Sequence, residues 1–282
     1  MNSDKKALIV GCGYVGERVG RRLVDRGYTV WATSRRSERL AELAACGFHA
    51  VELELSAVGR SELFDTSYDL VIYAVAPGRG GDAELAFRDG VGACLKRLAG
   101  APPGRFVYLS STGVYAQDDG SEIDEETPAE ACSGRQGLLL AGERGVIDAS
   151  MIVPGVVLRL GGLYGPNRSP VDWCSDLAWR ERLAKGSREA YMNWVHADDA
   201  AEAVCLAGER GTSGEVYLVV DGTPVKRGDF YDYACEVAGQ SRLELKSDPK
   251  SLAKRCSNRK AREQLGFAPK YPSFREGLAS LG

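Results

Sequence analysis

Three glycines near the N-terminus have the spacing of a loop that binds a diphosphate. Gly11, Gly13 and Gly16 form the pattern Gly-x-Gly-x-x-Gly between the apolar run 7–10 and residues 17–27, which have the apolar spacing of a helix. The arrangement predicts a strand, a tight turn and a helix. The first glycine permits the bend, the second lets a diphosphate approach the backbone, and the third lets the helix pack on the strand. The N–H groups of the first helical turn would then face the phosphate charge.

The end of the second predicted strand, residues 28–33, indicates which dinucleotide the loop would hold. An acidic side chain there would accept a hydrogen bond from the ribose 2′-hydroxyl of NAD, but this chain has Ser34, Arg35 and Arg36. Guanidinium groups suit a 2′-phosphate, so the residues favour NADP over NAD. In an alternative interpretation, Arg36 and Arg39 only solvate the next helix. Arg35 is then the stronger candidate of the pair for the contact with the 2′-phosphate. The predicted cofactor contacts are Gly11, Gly13, Tyr14, Val15, Gly16, Ser34, Arg35, Arg36, Ala74, Val75 and Ala76.

A cluster of hydroxyl groups stands at the end of another predicted strand, residues 105–110. Ser111 and Thr112 follow this strand directly, and Tyr115 lies four residues beyond Ser111. Ligands of parallel sheets bind at the carboxyl ends of the strands. The hydroxyl groups are therefore placed to donate a hydrogen bond to a substrate carbonyl.

Strands alternate with helices in the first part of the chain. Residues 69–76 form a continuous apolar run, which is typical of a central parallel strand covered on both faces. The alternation predicts an α/β fold with a Rossmann-type, doubly wound parallel sheet. From about residue 167 the segments are shorter and more mixed, with no linker before them. We therefore expect an NADP-binding domain at 1–166 and a smaller, interleaved mixed α/β substrate-binding lobe at 167–282. The other elements predicted in the first part are strands at 48–55 and 156–160 and helices at 37–46, 82–98 and 133–148.

Composition limits the classes of partner. The net charge is −3 and no basic run is interleaved with aromatic residues, which argues against nucleic-acid binding. No apolar segment has the length of a membrane span and no signal peptide precedes the first strand, so we expect a cytoplasmic protein without membrane association. The eight cysteines contain no Cys-x-x-Cys pair and there are two histidines, so no metal site is expected. Cys12 lies within the glycine loop, where its alkylation would block cofactor entry.

Taken in order, these segments resemble the NAD(P)-dependent epimerase/dehydratase family, the extended branch of the short-chain dehydrogenases/reductases. The resemblance covers nearly the whole chain. It includes the glycine turn, residues 110–115, 163–166 and 195–199, and the late segments 257–258 and 271–277. It implies NAD or NADP in the first lobe and a small-molecule substrate, often a nucleotide sugar, in the second. Such families commonly form dimers through paired helices, so the resemblance is compatible with a homodimer.

The resemblance also implies a catalytic set that this chain does not complete. The family uses a Ser or Thr, a Tyr, and a Lys four residues after that Tyr. Ser111 matches the hydroxyl position. If Glu143 is the glutamate that commonly follows four residues after the lysine, the tyrosine position is Arg135 and the lysine position is Leu139.

No other register restores the pair. The chain has no Tyr between Tyr115 and Tyr164 and no Lys between Lys96 and Lys185. The sequence therefore predicts an atypical active site. Its candidate catalytic residues are Ser111, Thr112, Tyr115 and Arg135.

Each candidate for the missing acid has an alternative role. Arg135 can stabilise an oxyanion or bind an anionic substrate, although a guanidinium is a poor proton donor. Tyr115 is the nearest phenol, with lining of the substrate pocket as its alternative. The candidate substrate contacts are Tyr164, Asn193 and His196, where Tyr164 could instead pack in a glycine turn and His196 could be structural. Asp198 and Asp199 are expected to cap a helix.

Two function hypotheses follow from the sequence. The first is an NADP-dependent oxidoreductase or epimerase that acts on a polar, sugar-derived carbonyl or alcohol with a non-standard active site. The second is a catalytically degraded protein that binds NADP(H) and serves as a redox-responsive regulator or interaction partner. Leu139 favours the second because the loss of an ammonium weakens ribose binding and acid catalysis. Ser111 and Tyr115 favour the first.

Overall fold

A seven-stranded parallel sheet is the central element of the fold. The computed structural model describes residues 5–78, 80–130 and 134–281. The strands are β1 (Lys5–Val10), β2 (Tyr28–Ser34), β3 (His49–Glu52), β4 (Leu70–Tyr73), β5 (Arg105–Ser111), β6 (Asp119–Ile123), β7 (Gly155–Leu160), β8 (Gly162–Tyr164), β9 (Tyr191–Met192), β10 (Trp194–His196), β11 (Val216–Val219), β12 (Val225–Lys226) and β13 (Ala253–Cys256). The order in the large sheet is β11-β7-β5-β4-β1-β2-β3.

Helices connect most of these strands. They are α1 (Tyr14–Asp25), α2 (Ser37–Ala45), α3 (Gly90–Leu98), α4 (Gly134–Asp148), α5 (Pro170–Ser175), α6 (Leu177–Leu183), α7 (Ala197–Arg210), α8 (Arg227–Val237) and α9 (Phe274–Ala279). Short 3-10 helices span Leu55–Arg60, Glu62–Asp65 and Thr112–Val114, and π-helical turns span Leu85–Asp89 and Ala261–Leu265. The predicted start of α4 at Ser133 lies outside the described residues.

Residues 170–183 form two short helices and not one continuous helix. Helices α5 and α6 are separated at Asp176, whose backbone is extended. The Asp176 carboxylate accepts a hydrogen bond from the Trp179 N–H at 2.8 Å and so caps α6. A residue that caps the second helix in this way ends the first, which the apolar spacing alone does not reveal.

The central strands are buried as their apolar runs predict. Strands β4 and β7 are buried along their whole length, and β1 is buried from Ala7 onward. A strand covered on both faces has no need of alternating polar residues, which is why its sequence reads as continuously apolar. The predicted Rossmann-type, doubly wound sheet is confirmed.

The strand order reverses beside β1. This strand pairs in parallel with β2 on one side and with β4 on the other. A reversal of this kind opens a crevice outside the carboxyl ends of the two strands, where ligands of open α/β sheets bind. The glycine turn at residues 11–16 follows β1 directly, so it lies at this crevice.

The chain divides into two compact units that are discontinuous in sequence. Unit 1 contains the described residues up to Val114, those between Ala129 and Arg159, and Ala201–Tyr217. Unit 2 contains Tyr115–Pro128, Leu160–Ala200 and the described residues from Leu218 onward. This differs from the expected boundary at 166/167, because two earlier segments lie in unit 2 and one later segment returns to unit 1.

The return of residues 201–217 to unit 1 has a physical basis in α7. Glu202 and Glu209 of this helix both form ion pairs with Arg26 at the end of α1, at 2.7 and 2.9 Å. Gly208 packs so closely on Leu70 of β4 that an added Cβ would lie 2.9 Å from the leucine Cδ1 atom. The helix therefore covers part of the large sheet.

Unit 2 has an aromatic core of its own. Trp194 and Phe230 stack with their ring centroids 4.6 Å apart, and Tyr164 meets both rings edge to face. The same unit contains three two-stranded sheets, which pair β8 with β10, β9 with β12 and β6 with β13. Burial of several large rings lets a unit with such short strands hold together.

A buried ion pair joins three elements of unit 1. Glu143 of α4 and Arg159 of β7 are both buried, with Oε2 and Nη2 separated by 2.6 Å. The Ser110 hydroxyl, in β5, donates a further hydrogen bond to Glu143 Oε1 at 2.5 Å. Because charges removed from water are stable only when they are paired and hydrogen-bonded, each group depends on the others.

We predict that Glu143→Ala destabilises the protein by about 3–5 kcal/mol, because the buried Arg159 guanidinium loses the Glu143 carboxylate. The measurement is the urea midpoint of unfolding. Glu202→Ala, which removes the half-exposed partner of Arg26, is the matched control and should cost no more than about 1 kcal/mol. Equal midpoints for the two variants would show that the buried pair contributes no more to the free energy of unfolding than the half-exposed pair does.

Candidate functional site

The three glycines of the turn occupy different steric environments in unit 1. Gly11 has a φ of 78°, and an added Cβ would lie 2.6 Å from the Cγ2 atom of Val75. Gly16 packs against β1, where an added Cβ would lie 3.1 Å from Ile9 Cγ2. Around Gly13, by contrast, no described atom outside Gly13 and its two chain neighbours lies within 4 Å of the Cβ position. The second glycine therefore borders open space that a ligand can approach.

The glycine turn is held by a threonine that the sequence did not single out. Thr33, near the end of β2, is buried, and its Oγ1 accepts a hydrogen bond from the Gly11 N–H at 2.9 Å. Its carbonyl oxygen accepts a second hydrogen bond from the Cys12 N–H at 2.8 Å. The partners are about twenty residues apart in sequence, so only the pairing of β1 with β2 brings them together.

Arg39 also binds the turn. Its Nε donates to the Cys12 carbonyl at 3.3 Å, and its guanidinium pairs with Glu17 and Glu42 at 2.7 and 2.6 Å. The side chain is 13% exposed. The alternative in which Arg39 only solvates a helix is therefore wrong, because the guanidinium is committed to the loop and to two carboxylates.

Arg35 and Arg36 have a different environment from Arg39. Both are exposed, and neither guanidinium lies within 4.0 Å of a carboxylate among the residues that the structure describes. Arg35 Nη2 lies 3.8 Å from the Cβ position of Gly78, on the loop that follows β4. Ser34 Oγ accepts a hydrogen bond from the Arg36 N–H at 3.1 Å, which fixes the backbone between them. The pair therefore presents positive charge at the end of β2.

The residues of the turn fit a dinucleotide diphosphate. Helix α1 begins after Gly13, and no described side chain caps it. The N–H groups of Val15 and Gly16 belong to its first turn, where donors have no partner within the helix. Gly13 leaves the space in front of these donors open. An anion in that space would be stabilised by the donors and by the helix dipole.

Cys12 is less reactive than its place in the loop suggested. The side chain is 3% exposed, and burial raises the pKa of its thiol to about 12. Since the thiolate is the nucleophilic form, alkylation at neutral pH is disfavoured. Alkylation of Cys12 is therefore expected to be slow, and the block of cofactor entry by an alkylated Cys12 stays a prediction.

Ser111 ends β5 with its hydroxyl oxygen already accepting a hydrogen bond. The donor is the Gly113 N–H at 3.0 Å. Because this bond uses a lone pair, the hydroxyl proton stays available for donation to a ligand. Thr112, the next candidate, is buried. Ser111 is thus the better placed of the two hydroxyl groups.

Gln136, which no sequence motif singles out, stabilises the turn after Ser111. Its Nε2 donates to the Gly113 carbonyl at 2.9 Å, which ties the first turn of α4 to the end of β5. Arg135 precedes it and is exposed, with its guanidinium carbon 4.9 Å from the centroid of the Phe87 ring. One turn further along α4, Leu139 is 3% exposed. The predicted lysine position is therefore filled by a buried apolar side chain.

Tyr115 lies in unit 2, where its hydroxyl donates to the Asp124 carbonyl at 2.7 Å. The side chain is buried, and the backbone carbonyl of Tyr115 accepts a hydrogen bond from Lys254 Nζ at 2.8 Å. A phenol proton that is donated to a main-chain carbonyl is not presented to a ligand. These contacts favour a structural role for Tyr115 over the acid role.

The three candidate substrate contacts are all engaged by neighbours within unit 2. Tyr164 is buried in the aromatic core, edge to face with His196 at 5.4 Å. His196 is buried too, and its Nδ1 accepts from the Asp198 N–H at 3.2 Å. The Asn193 amide donates to the Lys254 carbonyl and accepts from the Cys256 N–H, at 2.9 and 2.7 Å. These contacts favour the structural alternatives.

Asp199 has a wider role than the expected helix cap. Its two carboxylate oxygens accept hydrogen bonds from the Lys270 and Tyr271 N–H groups at 2.7 and 3.0 Å. The ring of Tyr271 packs on His196 with a centroid distance of 4.1 Å. The carboxylate therefore joins the first turn of α7 to the segment that precedes α9.

The described residues contain neither a metal-binding cluster nor a membrane-spanning helix. No group of three or more His, Cys, Asp or Glu side chains in residues 5–78, 80–130 and 134–281 is arranged to hold a metal ion. In the same ranges, none of the helices combines the length and apolar character needed to cross a bilayer.

The family is decided by comparison with known proteins. Residues 7–219 match the model of the NAD dependent epimerase/dehydratase family. The chain belongs to this family. The match includes the glycine turn, the end of β5 and the whole of α4, and it confirms the resemblance noted in the sequence.

Individual relatives are similar at low identity. Protein YeeZ of Escherichia coli is 24% identical, and the match covers 95% of this chain and 97% of that protein. A 4-hydroxy-2-methyl-3-oxo-4-farnesyl-3,4-dihydroquinoline-1-oxide ketoreductase of Stigmatella aurantiaca is 28% identical, with coverages of 81% and 72%. The structure of UDP-glucuronic acid 4-epimerase from Bacillus cereus in complex with NAD has a TM-score of 0.80 at 19% identity, over 97% and 96% of the chains. At this identity the structural likeness supports the fold.

Asp221 is a buried carboxyl group next to the aromatic core of unit 2. It is 5% exposed, and its Oδ1 accepts a hydrogen bond from the Thr223 N–H at 2.8 Å. Burial raises the pKa of this carboxyl to about 7, and the negative charges of Asp199 and Glu276 add to the effect. The group is therefore largely protonated in the folded protein at pH values where it is ionised in the unfolded chain.

We predict that this carboxyl lowers stability as the pH rises from about 4 to 7, because only the unfolded state releases the proton in that range. Asp221→Asn should match the wild-type unfolding temperature near pH 4 and exceed it by roughly 5 °C at pH 8. The exposed Asp229→Asn is the control and should leave the pH profile unchanged. Parallel profiles for wild type and Asp221→Asn would contradict the assignment.

Proposed function

We propose that this protein is an NADP-dependent oxidoreductase that interconverts a carbonyl and an alcohol in a polar, sugar-like small molecule. The observation that carries the proposal is the open space at Gly13, at the carboxyl end of β1. The Ser111 hydroxyl stands at the carboxyl end of β5 in the same sheet. Neighbouring strands lie ~4.8 Å apart, so two strand spacings separate these features by about 10 Å. A dinucleotide bound at the turn can extend that far.

The preference for NADP rests on Arg35 and Arg36. A 2′-phosphate carries negative charge that an unpaired guanidinium at the end of β2 can bind through two parallel hydrogen bonds. Arg39 is not part of this proposal because Glu17 and Glu42 already neutralise it. The family to which the chain belongs is named for NAD, so the choice of NADP depends on these two side chains alone.

In the proposed reaction the protein orients the substrate and stabilises charge. Bound nicotinamide cofactor supplies or accepts the hydride. The Ser111 hydroxyl donates a hydrogen bond to the substrate oxygen, which becomes negative when its carbon gains hydride. Arg135 and the first turn of α4 provide positive potential in unit 1. With Tyr115 engaged by Asp124, water delivers the proton that completes the alcohol.

A second candidate function is binding of NADP(H) without turnover, as a redox-responsive regulator or interaction protein. The observation that favours it is the buried Leu139, which leaves no ammonium at the position that the family uses for ribose binding and acid catalysis. The two functions are distinguished by NADPH consumption with a panel of aldehydes, ketones and nucleotide sugars, together with a binding titration. Tight binding without turnover across the panel would favour the regulator.

We predict that Arg35→Ala weakens NADP binding at least tenfold and leaves NAD binding within about twofold, since only the 2′-phosphate loses a partner. Isothermal titration calorimetry measures both affinities. Arg60→Ala removes another exposed arginine of unit 1 and is the control. Equal losses of NADP and NAD affinity in Arg35→Ala would refute the 2′-phosphate assignment.

We predict that Ser111→Ala lowers kcat by about 10²-fold on any substrate the panel identifies, with unchanged NADP affinity, because the donor to the developing oxyanion is lost. Steady-state kinetics and the same titration provide the two readings. Ser56→Ala, an exposed serine elsewhere in unit 1, is the control. A wild-type rate in Ser111→Ala would remove this residue from the chemistry.

A further inference from the structure

A basic cavity lies entirely within unit 2 and has no part in the proposed reaction. Its volume is about 940 Å³, and its walls come from β13, the loop after β11, and the helical turn Ala261–Leu265. Cavities of this size hold small-molecule ligands in many proteins. We call it the basic cavity because Arg255, Arg259 and Arg262 line it.

One of the three guanidinium groups is held in place by the fold. Arg255 Nε donates to the Gly120 carbonyl at 2.9 Å, and the guanidinium carbon lies 5.6 Å from the centroid of the Tyr191 ring. A guanidinium that uses one donor and one face in this way still has its outer N–H groups for a ligand. Its position is fixed before any ligand arrives, which lowers the entropic cost of binding.

The other two arginines lie on one side of a helical turn. Arg259 and Arg262 are three residues apart, and side chains at this spacing are neighbours on a helix surface. Both line the basic cavity. Strand β13 and the following helical turn thus direct three positive charges at one concave space.

These charges lack counter-ions within the described part of the chain. Glu122 and Glu263 also line the basic cavity, yet no carboxylate oxygen among the described residues lies within 4.0 Å of the three guanidinium groups. Arg255 is half-buried and Arg259 and Arg262 are exposed, whereas the half-buried Arg39 and the buried Arg159 each have a carboxylate partner. With three arginines and two glutamates, the lining of the basic cavity carries a net positive charge on a chain whose net charge is −3.

Neutral polar groups also line the basic cavity. Asn258 is 5% exposed, and its Nδ2 donates to the Val220 carbonyl at 2.9 Å. Ser257 lies beside it, and Pro224 and Phe267 contribute apolar surface. A small number of polar groups among apolar ones is typical of sites that orient a small ligand.

We propose that the basic cavity binds a small polyanion that carries phosphate or carboxylate groups. A planar guanidinium fork matches two oxygens of either group, and three forks match a ligand with more than one anionic group. Arginines on a convex surface would be hydrated and would gain little from such a ligand. In a concave site with apolar walls, the same charges attract the anion more strongly because less water screens them.

The proposal is independent of the proposed oxidoreductase function. The basic cavity is lined by residues of unit 2, whereas the glycine turn, Arg35 and Ser111 belong to unit 1. A failure of one assignment therefore leaves the other standing. The two are separated experimentally by Arg35→Ala, which should weaken NADP and leave anion binding at the basic cavity unchanged.

The test is calorimetric titration of the full chain with inorganic pyrophosphate and, separately, with citrate, at constant ionic strength and with the glycine turn saturated by NADP. We expect saturable binding of at least one anion. The double variant Arg259→Gln/Arg262→Gln should weaken that binding at least tenfold, with an unchanged unfolding temperature. Binding of pyrophosphate alone identifies a phosphate ligand, and binding of citrate alone or of both admits carboxylates.

Arg242→Gln is the matched control, because this arginine of unit 2 is highly exposed and does not line the basic cavity. It should bind both anions as the wild type does. The titration is repeated without NADP and in Arg35→Ala, so that a chain that fails to bind NADP still gives a reading for the basic cavity. Equal affinity in the double variant and the wild type, or no saturable binding of either anion, would overturn the proposal.

Discussion

The close approach of the backbone at Gly11 to Val75 is the constraint on which the site depends. No side chain fits between them, since an added Cβ would lie 2.6 Å from the valine Cγ2 and the φ of 78° is unfavourable for any other residue. The approach is enforced by the pairing of β1 with β4, and Thr33 of β2 holds the turn from the other side. The turn therefore takes its shape from three strands of the sheet. A ligand at Gly13 therefore meets a surface that the sheet orders before binding.

The end of β5 is organised in a comparable way by long-range polar contacts. Ser110 is fixed by the buried Glu143 and Arg159 pair, and the residue after it, Ser111, is held by the Gly113 N–H. Gln136 then ties this turn to α4. The buried charges thus support the strand end next to the proposed hydrogen-bond donor. Leu139 lies on the same helix, α4, as Glu143 and Gln136. The contacts that support the end of β5 are therefore present, although the ammonium group that the family uses is absent from this helix.

Local patterns were sufficient to predict the fold. Continuous apolar runs identified β1, β4 and β7, and the glycine spacing identified the turn into α1, because burial on both faces and a sharp bend each restrict the residues that can occupy them. The division into units is harder to predict from the sequence, because it depends on the contact of α7 with Arg26 at the end of α1. A single boundary in the sequence cannot describe a chain that passes between the two units several times.

The candidate site was predictable only where its residues follow each other in sequence. Thr33, Arg39 and Gln136 contact the turns from positions more than twenty residues away, and nothing in their local sequence distinguishes them from ordinary strand or helix residues. Tyr115 and Asn193 have the residue types of ligand-binding groups, but their polar atoms are used by main-chain partners. Residue type indicates what a side chain can do, whereas its hydrogen-bond partners decide whether it is available.

The most direct measurement is the NADPH affinity of Gly13→Ala compared with that of the wild type. The added methyl group meets no atom within 4 Å, so the unfolding temperature should not change, whereas the space for the diphosphate is reduced. The account predicts that the wild type binds NADPH and that the variant binds it at least tenfold more weakly. Equal affinities, or no binding of NADPH by the wild type, would contradict the assignment of the glycine turn as the cofactor site.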